Sequence, residues 1–158
     1  MIFLTVGTQL PFDRLVRAVD DWAVMRPGVR IVAQIGRDAR RPEHLEWSEE
    51  LGPAEFEVML RAADLVVAHA GMGTVLRCRD LGKPLIVVPR VAALGEHRND
   101  HQLATARRLV ELGLATVARN EIDLRDLLSA RASLAPARRT GGLALDEFRR
   151  NLAHYVNA

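Results

Sequence analysis

Short β-branched runs alternate with helix-forming segments along most of the chain, and this alternation constrains the fold more than any other feature of the sequence. The runs 2–6, 64–69 and 85–88 are typical of buried strands, and the segments between them repeat apolar residues at helical intervals. Strands joined by helices form βαβ units. The sequence therefore predicts an α/β fold, a Rossmann-like parallel sheet with helices on both faces.

Glycine and proline mark where several of these elements end. Pro27-Gly28 stops the first helix and Gly82 stops the helix that follows the central loop. The segment 136–142 is linker-like, and a C-terminal helix within 136–158 is expected to face a partner or a membrane. The predicted strands cover 2–6, 29–35, 45–47, 64–69, 85–88 and 115–118, and the predicted helices cover 12–25, 53–63, 74–81, 100–112, 123–132 and 143–156.

Composition places the chain among folded globular proteins and argues against several function classes. Its 158 residues suit a single domain over 1–158, and 49% hydrophobic with 27% charged residues suits a packed core. The net charge is +2 and the arginines are scattered, so no nucleic-acid partner is expected. Cys78 is the only cysteine, so a disulfide within the chain is excluded. We interpret Cys78 as a small, half-buried residue rather than a reactive thiol.

No part of the sequence predicts a membrane span. The longest apolar runs are far shorter than the roughly 20 residues that a transmembrane helix needs. The amino terminus enters a strand directly, without the charged region of a signal peptide. We therefore expect a cytoplasmic protein that reaches a membrane only through a partner or a surface contact.

The segment 69–74, His-Ala-Gly-Met-Gly-Thr, joins a predicted strand to a predicted helix. Ligands of open parallel sheets bind beyond the carboxyl ends of the strands, where helices begin. Gly71 and Gly73 let a ligand approach the backbone, the helix end attracts an anion, and Thr74 adds a hydroxyl donor. The pattern indicates a phosphate-binding turn, although a tight turn can need glycine for steric reasons alone. His69 is either a core histidine bonded to backbone or one wall of the ligand pocket.

Two common phosphate-binding motifs do not fit this segment. The dinucleotide fingerprint requires a third glycine where this chain has Leu76. A P-loop requires a lysine that closes the loop, and the only lysine, Lys83, follows the helix.

A second polar cluster occupies 96–102, Glu-His-Arg-Asn-Asp-His-Gln, at the start of another predicted helix. A helix N-cap would need only Asn99 or Asp100. His97, Asp100 and His101 could form a metal site, but a solvated helix start explains them as easily, and we expect no metal. Asn, Asp, His and Gln side chains match sugar hydroxyls one by one, so we interpret the cluster as a site for a hydroxyl-rich ligand.

Several segments together resemble the carboxyl-terminal domain of family 28 glycosyltransferases. These are 63–74, 81–89 and 99–104, together with the opening 3–8 and 12–15. The chain is similar to stand-alone versions of that domain, such as the catalytic subunit of the split N-acetylglucosaminyltransferase of dolichol-linked oligosaccharide synthesis. The stretch 98–102, with Arg90 and Gly95 before it, resembles more closely still the bacterial exopolysaccharide subunits called PssE.

This resemblance implies one half of a GT-B glycosyltransferase that binds a UDP-sugar and needs no cofactor. The segments 7–9 and 71–74 match loops near the donor phosphates. Trp47 falls near the loop that holds the uracil, where its ring can stack on the base. His101 and Gln102 match positions that contact donor-sugar hydroxyls. The implied substrate-binding residues are Gly7, Thr8, Gln9, Trp47, His69, Gly71, Met72, Gly73, Thr74, Arg77, Asn99, Asp100, His101 and Gln102, and no catalytic residue is assigned.

Arg77 departs from the family pattern. Many relatives carry an acid at this place to hold the ribose, whereas this chain carries an arginine. Arg77 is either a surface arginine or a contact for an acidic donor such as UDP-glucuronate.

The resemblance also implies a two-part enzyme, because a GT-B enzyme has two such domains with its active site between them and this chain matches one of them. We expect a membrane-anchored acceptor-binding subunit that presents a polyprenyl-diphosphate-linked saccharide. The implied reaction transfers a hexosyl group from a UDP-sugar with inversion, in exopolysaccharide synthesis at the inner face of the plasma membrane. Self-association of the isolated chain is also open.

Other readings of the sequence stay open at this point. A non-catalytic, nucleotide-sugar-binding regulatory subunit fits the same motifs, since no general base can be named. A sugar-nucleotide epimerase on a GT-B scaffold would need both domains in one chain. A structural or signalling α/β domain would leave the run 96–102 without a purpose.

Overall fold

Strands and helices alternate through residues 1–137, the part of the chain that the computed structural model describes. The strands are β1 (Ile2–Thr5), β2 (Ile31–Gln34), β3 (Glu46–Ser48), β4 (Leu65–His69), β5 (Leu85–Val88) and β6 (Thr116–Val117). The helices are α1 (Asp13–Val24), α2 (Pro53–Ala62), α3 (Met72–Leu81), α4 (His101–Glu111) and α5 (Glu121–Ser129), with single 3-10 turns at Ala92–Leu94 and Arg131–Ser133. The expected C-terminal helix over 143–156 lies outside the described residues.

The six strands form one sheet in the order β3-β2-β1-β4-β5-β6, and each neighbouring pair is parallel. This confirms the predicted Rossmann-like parallel sheet. β1 and β4 are neighbours although two strands separate them in sequence. The strand order therefore reverses at this pair, and such a reversal opens a crevice at the carboxyl ends of the two strands.

Helices cover both faces of the sheet, and each face has its own core. α1 and α5 pack on one face, while α2, α3 and α4 pack on the other. Val67 belongs to the first core and Val66 to the second, and both are fully buried. Successive strand residues point to opposite faces, so a sheet covered on both sides requires the continuous apolar run seen in this strand.

The structure corrects the start of two helices. α3 begins at Met72 rather than Thr74, because Gly71 adopts an extended conformation and serves as the N-cap. α5 begins at Glu121 rather than at 123, because the Asn120 side chain accepts a hydrogen bond from the backbone N–H of Asp123. The other predicted ends fall within two residues of the observed ones, apart from the last turn predicted after Ser129, which is a separate 3-10 turn.

None of the helices within residues 1–137 is long and apolar enough to cross a bilayer.

Candidate functional site

Three segments leave the sheet side by side at its carboxyl edge. β1, β4 and β5 are adjacent and parallel, so the connections that follow them begin together. These connections are 6–12, 70–71 and 89–100. All of the predicted site residues except Trp47 and Arg77 lie on them, at the end of β4, or in the first turn of the helix that follows.

The imidazole of His69 fills the space between two glycines of this edge. A Cβ on Gly7 would lie 2.5 Å from His69 Cε1, and a Cβ on Gly71 would lie 2.1 Å from Nε2. Gly7 also has a φ of +79°, which side chains rarely adopt. Both glycines are therefore required sterically, because one ring packs against both backbones.

The His69 ring is neutral at physiological pH. Its pKa is lowered to about 4, first by burial and then by the charge of Arg90; the Thr5 backbone opposes this shift and His97 adds to it. Its Nδ1 atom is buried and has no hydrogen-bond partner within the described part of the chain.

We expect this histidine to make folding stability depend on pH. The unfolded chain takes up the proton near pH 6.5, whereas the folded chain takes it up only near pH 4. The free energy of unfolding should therefore fall as the pH falls from 6.5 to 4, by about 3 kcal/mol from this group. Urea denaturation at about pH 7 and about pH 4.5 should show a smaller loss in His69→Asn than in the wild type. His44→Asn, which replaces a half-exposed histidine, should keep the wild-type loss; equal losses in all three proteins would contradict the assignment.

The amino terminus of α3 points its first N–H groups at the same edge. Among the residues that the structure describes, no side chain caps this helix, and its first turn carries no acidic residue. Thr74 is 7% exposed, and its hydroxyl has no hydrogen-bond partner among residues 1–137. Free N–H groups at a helix end, joined by a free hydroxyl, suit an anion such as a phosphate.

Gln34 fixes the base of the β1 connection from inside the sheet. Its buried side-chain amide donates to the carbonyl oxygens of Gly7 and Glu49, both at 3.0 Å. Its Oε1 accepts the Thr5 hydroxyl at 2.7 Å. The next residues in this connection, Thr8 and Gln9, are exposed.

The buried guanidinium of Arg90 ties the β1 connection to the β5 connection. It donates to the carbonyl oxygens of Val6 (3.0 Å), Leu10 (2.7 Å) and Pro11 (2.6 Å), and more weakly to that of Glu96 (3.4 Å). Four carbonyl oxygens on two connections thus share one planar donor group. This side chain therefore joins the β1 and β5 connections, which form two walls of the candidate site, directly.

Glu96 fixes the conformation of the β5 connection, residues 89–100. Its carboxylate accepts two hydrogen bonds from Arg14, at 2.6 and 2.9 Å, and one from the backbone N–H of Val91 at 2.9 Å. Arg14 also donates to the Pro89 carbonyl at 3.1 Å. Both charged side chains are mostly buried, at 17% and 10% exposure. A bidentate pair of this kind fixes both position and orientation.

In the polar run at the start of α4, some side chains bond to the protein backbone and others are exposed to solvent. The Asp100 carboxylate accepts from the Ala92 N–H at 2.8 Å, and Gln102 Oε1 accepts from the Arg90 N–H at 3.0 Å. His101 meets His97 edge to face, with ring centroids 5.6 Å apart. Asn99 is exposed. Asp100 and Gln102 therefore shape the connection, and each keeps a further polar atom outside these bonds.

Trp47 and Arg77 lie apart from the three connections. Trp47 is on β3 at the edge of the sheet, two strands from β1, with the Arg41 guanidinium 5.2 Å from its ring centroid. Arg77 lies beyond the first turn of α3 and forms an ion pair with Glu57 of α2. Their roles in binding uracil or an acidic sugar stay predictions.

Neither a reactive thiol nor a metal cluster is found in the part of the chain described. Cys78 is fully buried inside α3, and burial raises the pKa of its thiol to about 12. Within residues 1–137, no group of three His, Cys, Asp or Glu side chains is arranged to hold a metal ion.

Sequence reasoning missed the roles of Arg14, Arg90 and Glu96. Arg90 comes two residues after the end of β5, and Glu96 is only one member of the polar run 96–102 in the sequence. The signal available was an arginine at the end of a buried strand, where a charge needs partners. Those partners lie about 80 residues away in the chain and no local pattern points to them.

Sequence comparison places the chain in a known family. The family model described as "Glycosyltransferase family 28 C-terminal domain" matches residues 1–136. The "UDP-N-acetylglucosamine--N-acetylmuramyl-(pentapeptide) pyrophosphoryl-undecaprenol N-acetylglucosamine transferase" of Synechococcus sp. (strain RCC307) is 32% identical over 123 residues, covering 73% of this chain and 33% of the relative. The human "UDP-N-acetylglucosamine transferase subunit ALG13" is 34% identical over 122 residues, covering 71% of this chain and 10% of the relative.

Solved structures share the fold. The solution structure of ALG13 matches with a TM-score of 0.61 at 21% identity and covers 92% of each chain. The crystal structure of MurG from Acinetobacter baumannii matches with a TM-score of 0.59 at 22% identity, covering 83% of this chain and 41% of that one. The chain thus spans about a third of the bacterial relative and a tenth of the human one. It is built as one half of a GT-B structure and belongs to glycosyltransferase family 28, as a C-terminal domain of that family.

Proposed function

We propose that this chain is the donor-binding subunit of a two-part, inverting glycosyltransferase. It binds a UDP-sugar, whose hexosyl group passes to a polyprenyl-diphosphate-linked saccharide in exopolysaccharide synthesis. A membrane-anchored acceptor-binding subunit completes the active site and holds this chain at the inner face of the plasma membrane. Backbone N–H groups and a helix end offset the charge of the leaving diphosphate, so the scheme uses no metal.

The main support is the place where the strand order reverses. There the uncapped amino terminus of α3 lies beside two loops that contain glycine, at residues 7 and 71. The first turn of α3 offers free N–H groups and the Thr74 hydroxyl. Gly73 leaves open space beside the backbone of this turn, while Gly7 and Gly71 let the backbones of both loops pack against the His69 ring. These groups suit a diphosphate, and His101 and Gln102 stand at the start of the neighbouring helix α4, where polar side chains suit sugar hydroxyls.

The proposed reaction divides between the two subunits. The acceptor oxygen attacks the anomeric carbon from the face opposite the diphosphate, and the bond from that carbon to the β-phosphate oxygen breaks. UDP leaves with the electron pair, held by this chain. The proton of the acceptor hydroxyl goes to a base on the partner, the subunit that holds the acceptor.

The relatives' names support a UDP-hexose as donor, since both curated relatives are named for UDP-N-acetylglucosamine. A glucuronosyl donor would require Arg77 to share or leave its ion pair with Glu57. Calorimetric titration with UDP-N-acetylglucosamine, UDP-glucose and UDP-glucuronate would rank the three donors. A preference for UDP-glucuronate that Arg77→Gln abolishes would establish the glucuronosyl form of the proposal.

Two substitutions should separate diphosphate binding from sugar binding. Thr74→Ala should weaken UDP and UDP-sugar about equally, by roughly tenfold, because it removes one hydrogen bond to a charged group. His101→Ala should weaken the UDP-sugar by a similar factor and leave UDP unchanged, because its partner is the sugar. His44→Ala, which alters a histidine on the far loop beside α1, is the control for calorimetry. Wild-type affinity in both site variants would contradict this pocket.

The two-part model needs a separate test with the partner present. The purified chain should bind UDP-sugar and show no transfer to a lipid-linked acceptor. Transfer should appear when the chain is co-expressed with a membrane-anchored subunit encoded beside it. Full activity of the chain alone would overturn the two-part model. Donor binding without activity in any such pair would favour the regulatory-subunit alternative.

A further inference from the structure

Arg90 carries a buried positive charge that no ion pair with another residue of 1–137 compensates. The residue is 2% exposed, and all of its guanidinium hydrogen bonds go to backbone carbonyl oxygens. Within residues 1–137 it forms no ion pair with a carboxylate. The nearby Glu96 carboxylate attracts the guanidinium without bonding to it, because its oxygens accept from Arg14 and from the Val91 N–H. The ring of Phe12, 4.6 Å from the guanidinium, offsets only part of the cost of burial.

The sheet order fixes where this charge lies. Arg90 follows β5, yet its guanidinium reaches the Val6 carbonyl after β1. β4 lies between those two strands, so the side chain crosses the carboxyl end of β4. His69 ends that strand, and the Arg90 charge is close enough to lower its pKa. The charge therefore lies at the same carboxyl edge of the sheet as His69, from which the chain continues into α3.

We propose that Arg90 is a positioning residue of the donor site, and that the ligand's diphosphate supplies the negative charge that this buried arginine lacks. This inference rests on the proposed function. Arg90 holds the β1 and β5 connections in register and adds a fixed positive charge to the helix end. A nucleoside diphosphate then completes the electrostatics of the site, whereas an uncharged nucleoside cannot. The Arg90 side chain thus supplies the positive charge of the site and also fixes the path of the two connections that form it.

Affinities for UDP and uridine test the proposal in the full chain. Arg90→Met should lower the affinity for UDP at least about 30-fold while lowering that for uridine less than about threefold. Arg90→Lys keeps the charge but cannot span four carbonyl oxygens, so it should recover about half of the UDP loss on a logarithmic scale. Arg30→Met, which removes an exposed arginine paired with Glu46, is the matched control and should bind UDP like the wild type.

Each outcome shows whether the charge of Arg90 acts on the bound diphosphate or whether Arg90 only maintains the structure of the site. Equal losses for UDP and uridine, with no recovery in Arg90→Lys, would overturn the proposal, as would unchanged UDP affinity in Arg90→Met. If Arg90→Met does not fold, the Arg90 Nε–Hε resonance of the wild-type protein replaces it as the readout. That resonance should shift on adding UDP and not on adding uridine, and the absence of a UDP shift would overturn the inference. Failure of the wild type to bind UDP would instead remove the proposed function itself.

Discussion

Gly71→Ala should reduce UDP affinity by at least about 100-fold, the largest effect on binding expected from a single methyl group in this chain. The new Cβ would lie 2.1 Å from Nε2 of His69. Gly7 confines the ring as well, because its own Cβ position lies 2.5 Å from Cε1 at the same edge of the imidazole. Either the ring leaves its place or the turn before α3 moves, and both disturb the N–H groups that would hold the diphosphate. Overpacking of this kind should also lower the free energy of unfolding by about 1–3 kcal/mol.

Two further variants serve as controls for this experiment: a substitution at a glycine with open space beside it, and a second substitution that removes the clash. A Cβ on Gly73 would meet nothing within 4 Å, and Gly73 lies in the first turn of α3. Gly73→Ala should therefore keep or slightly raise stability in urea denaturation. Adding His69→Ala to Gly71→Ala should restore much of the lost stability, because it removes the atom that clashes. A Gly71→Ala protein with wild-type stability and affinity would show that the ring does not occupy this space.

Glu96→Ala should produce the largest loss of stability outside the hydrophobic cores, about 3 kcal/mol. The substitution leaves Arg14 without its bidentate partner and the Val91 N–H without an acceptor. Removing one member of a largely buried ion pair costs about 3–5 kcal/mol, because the other charge stays buried and unpaired. Urea denaturation measures the loss, and UDP affinity should fall with it, since the β5 connection loses its anchor.

Two further variants make this result specific. Glu50→Ala removes a carboxylate of similar chemistry whose pairing with Arg37 is exposed, and its denaturation midpoint should not move. Arg14→Met combined with Glu96→Ala removes both charges, and should be more stable than Glu96→Ala alone. A loss no greater than that of Glu50→Ala would mean that the buried pair does not hold this wall.

Local patterns in the sequence predict most of the fold. The apolar runs and helical periods give the number and order of the elements, because burial on one or both faces leaves a direct trace in residue spacing. The predicted start of α3 is wrong by two residues, because a glycine pair is typical of a loop, whereas here only Gly71 is extended and Gly73 is helical. The Asn120 cap of α5 was a readable signal, since Asn followed three residues later by Asp is common where helices begin.

The candidate site was predictable only as far as its separate segments. The segment 69–74 and the run 96–102 are visible in the sequence, and the strand order brings them to one edge. The buried connections between them are not visible, because they join residues 79 to 84 positions apart through backbone carbonyl oxygens, which carry no sequence signal. Tertiary contacts of this kind have to be read from the structure.

The way in which Gln34 holds Gly7 also makes this chain a convenient starting point for changing ligand choice. The Gln34 side chain bonds the start of the β1 connection, at Gly7, to the interior of the sheet. The next two residues, Thr8 and Gln9, are exposed. Side chains at these two positions can be randomised without touching the bonds that set the path of the backbone. A library at positions 8 and 9, sorted against different sugar nucleotides, would alter recognition while leaving folding intact.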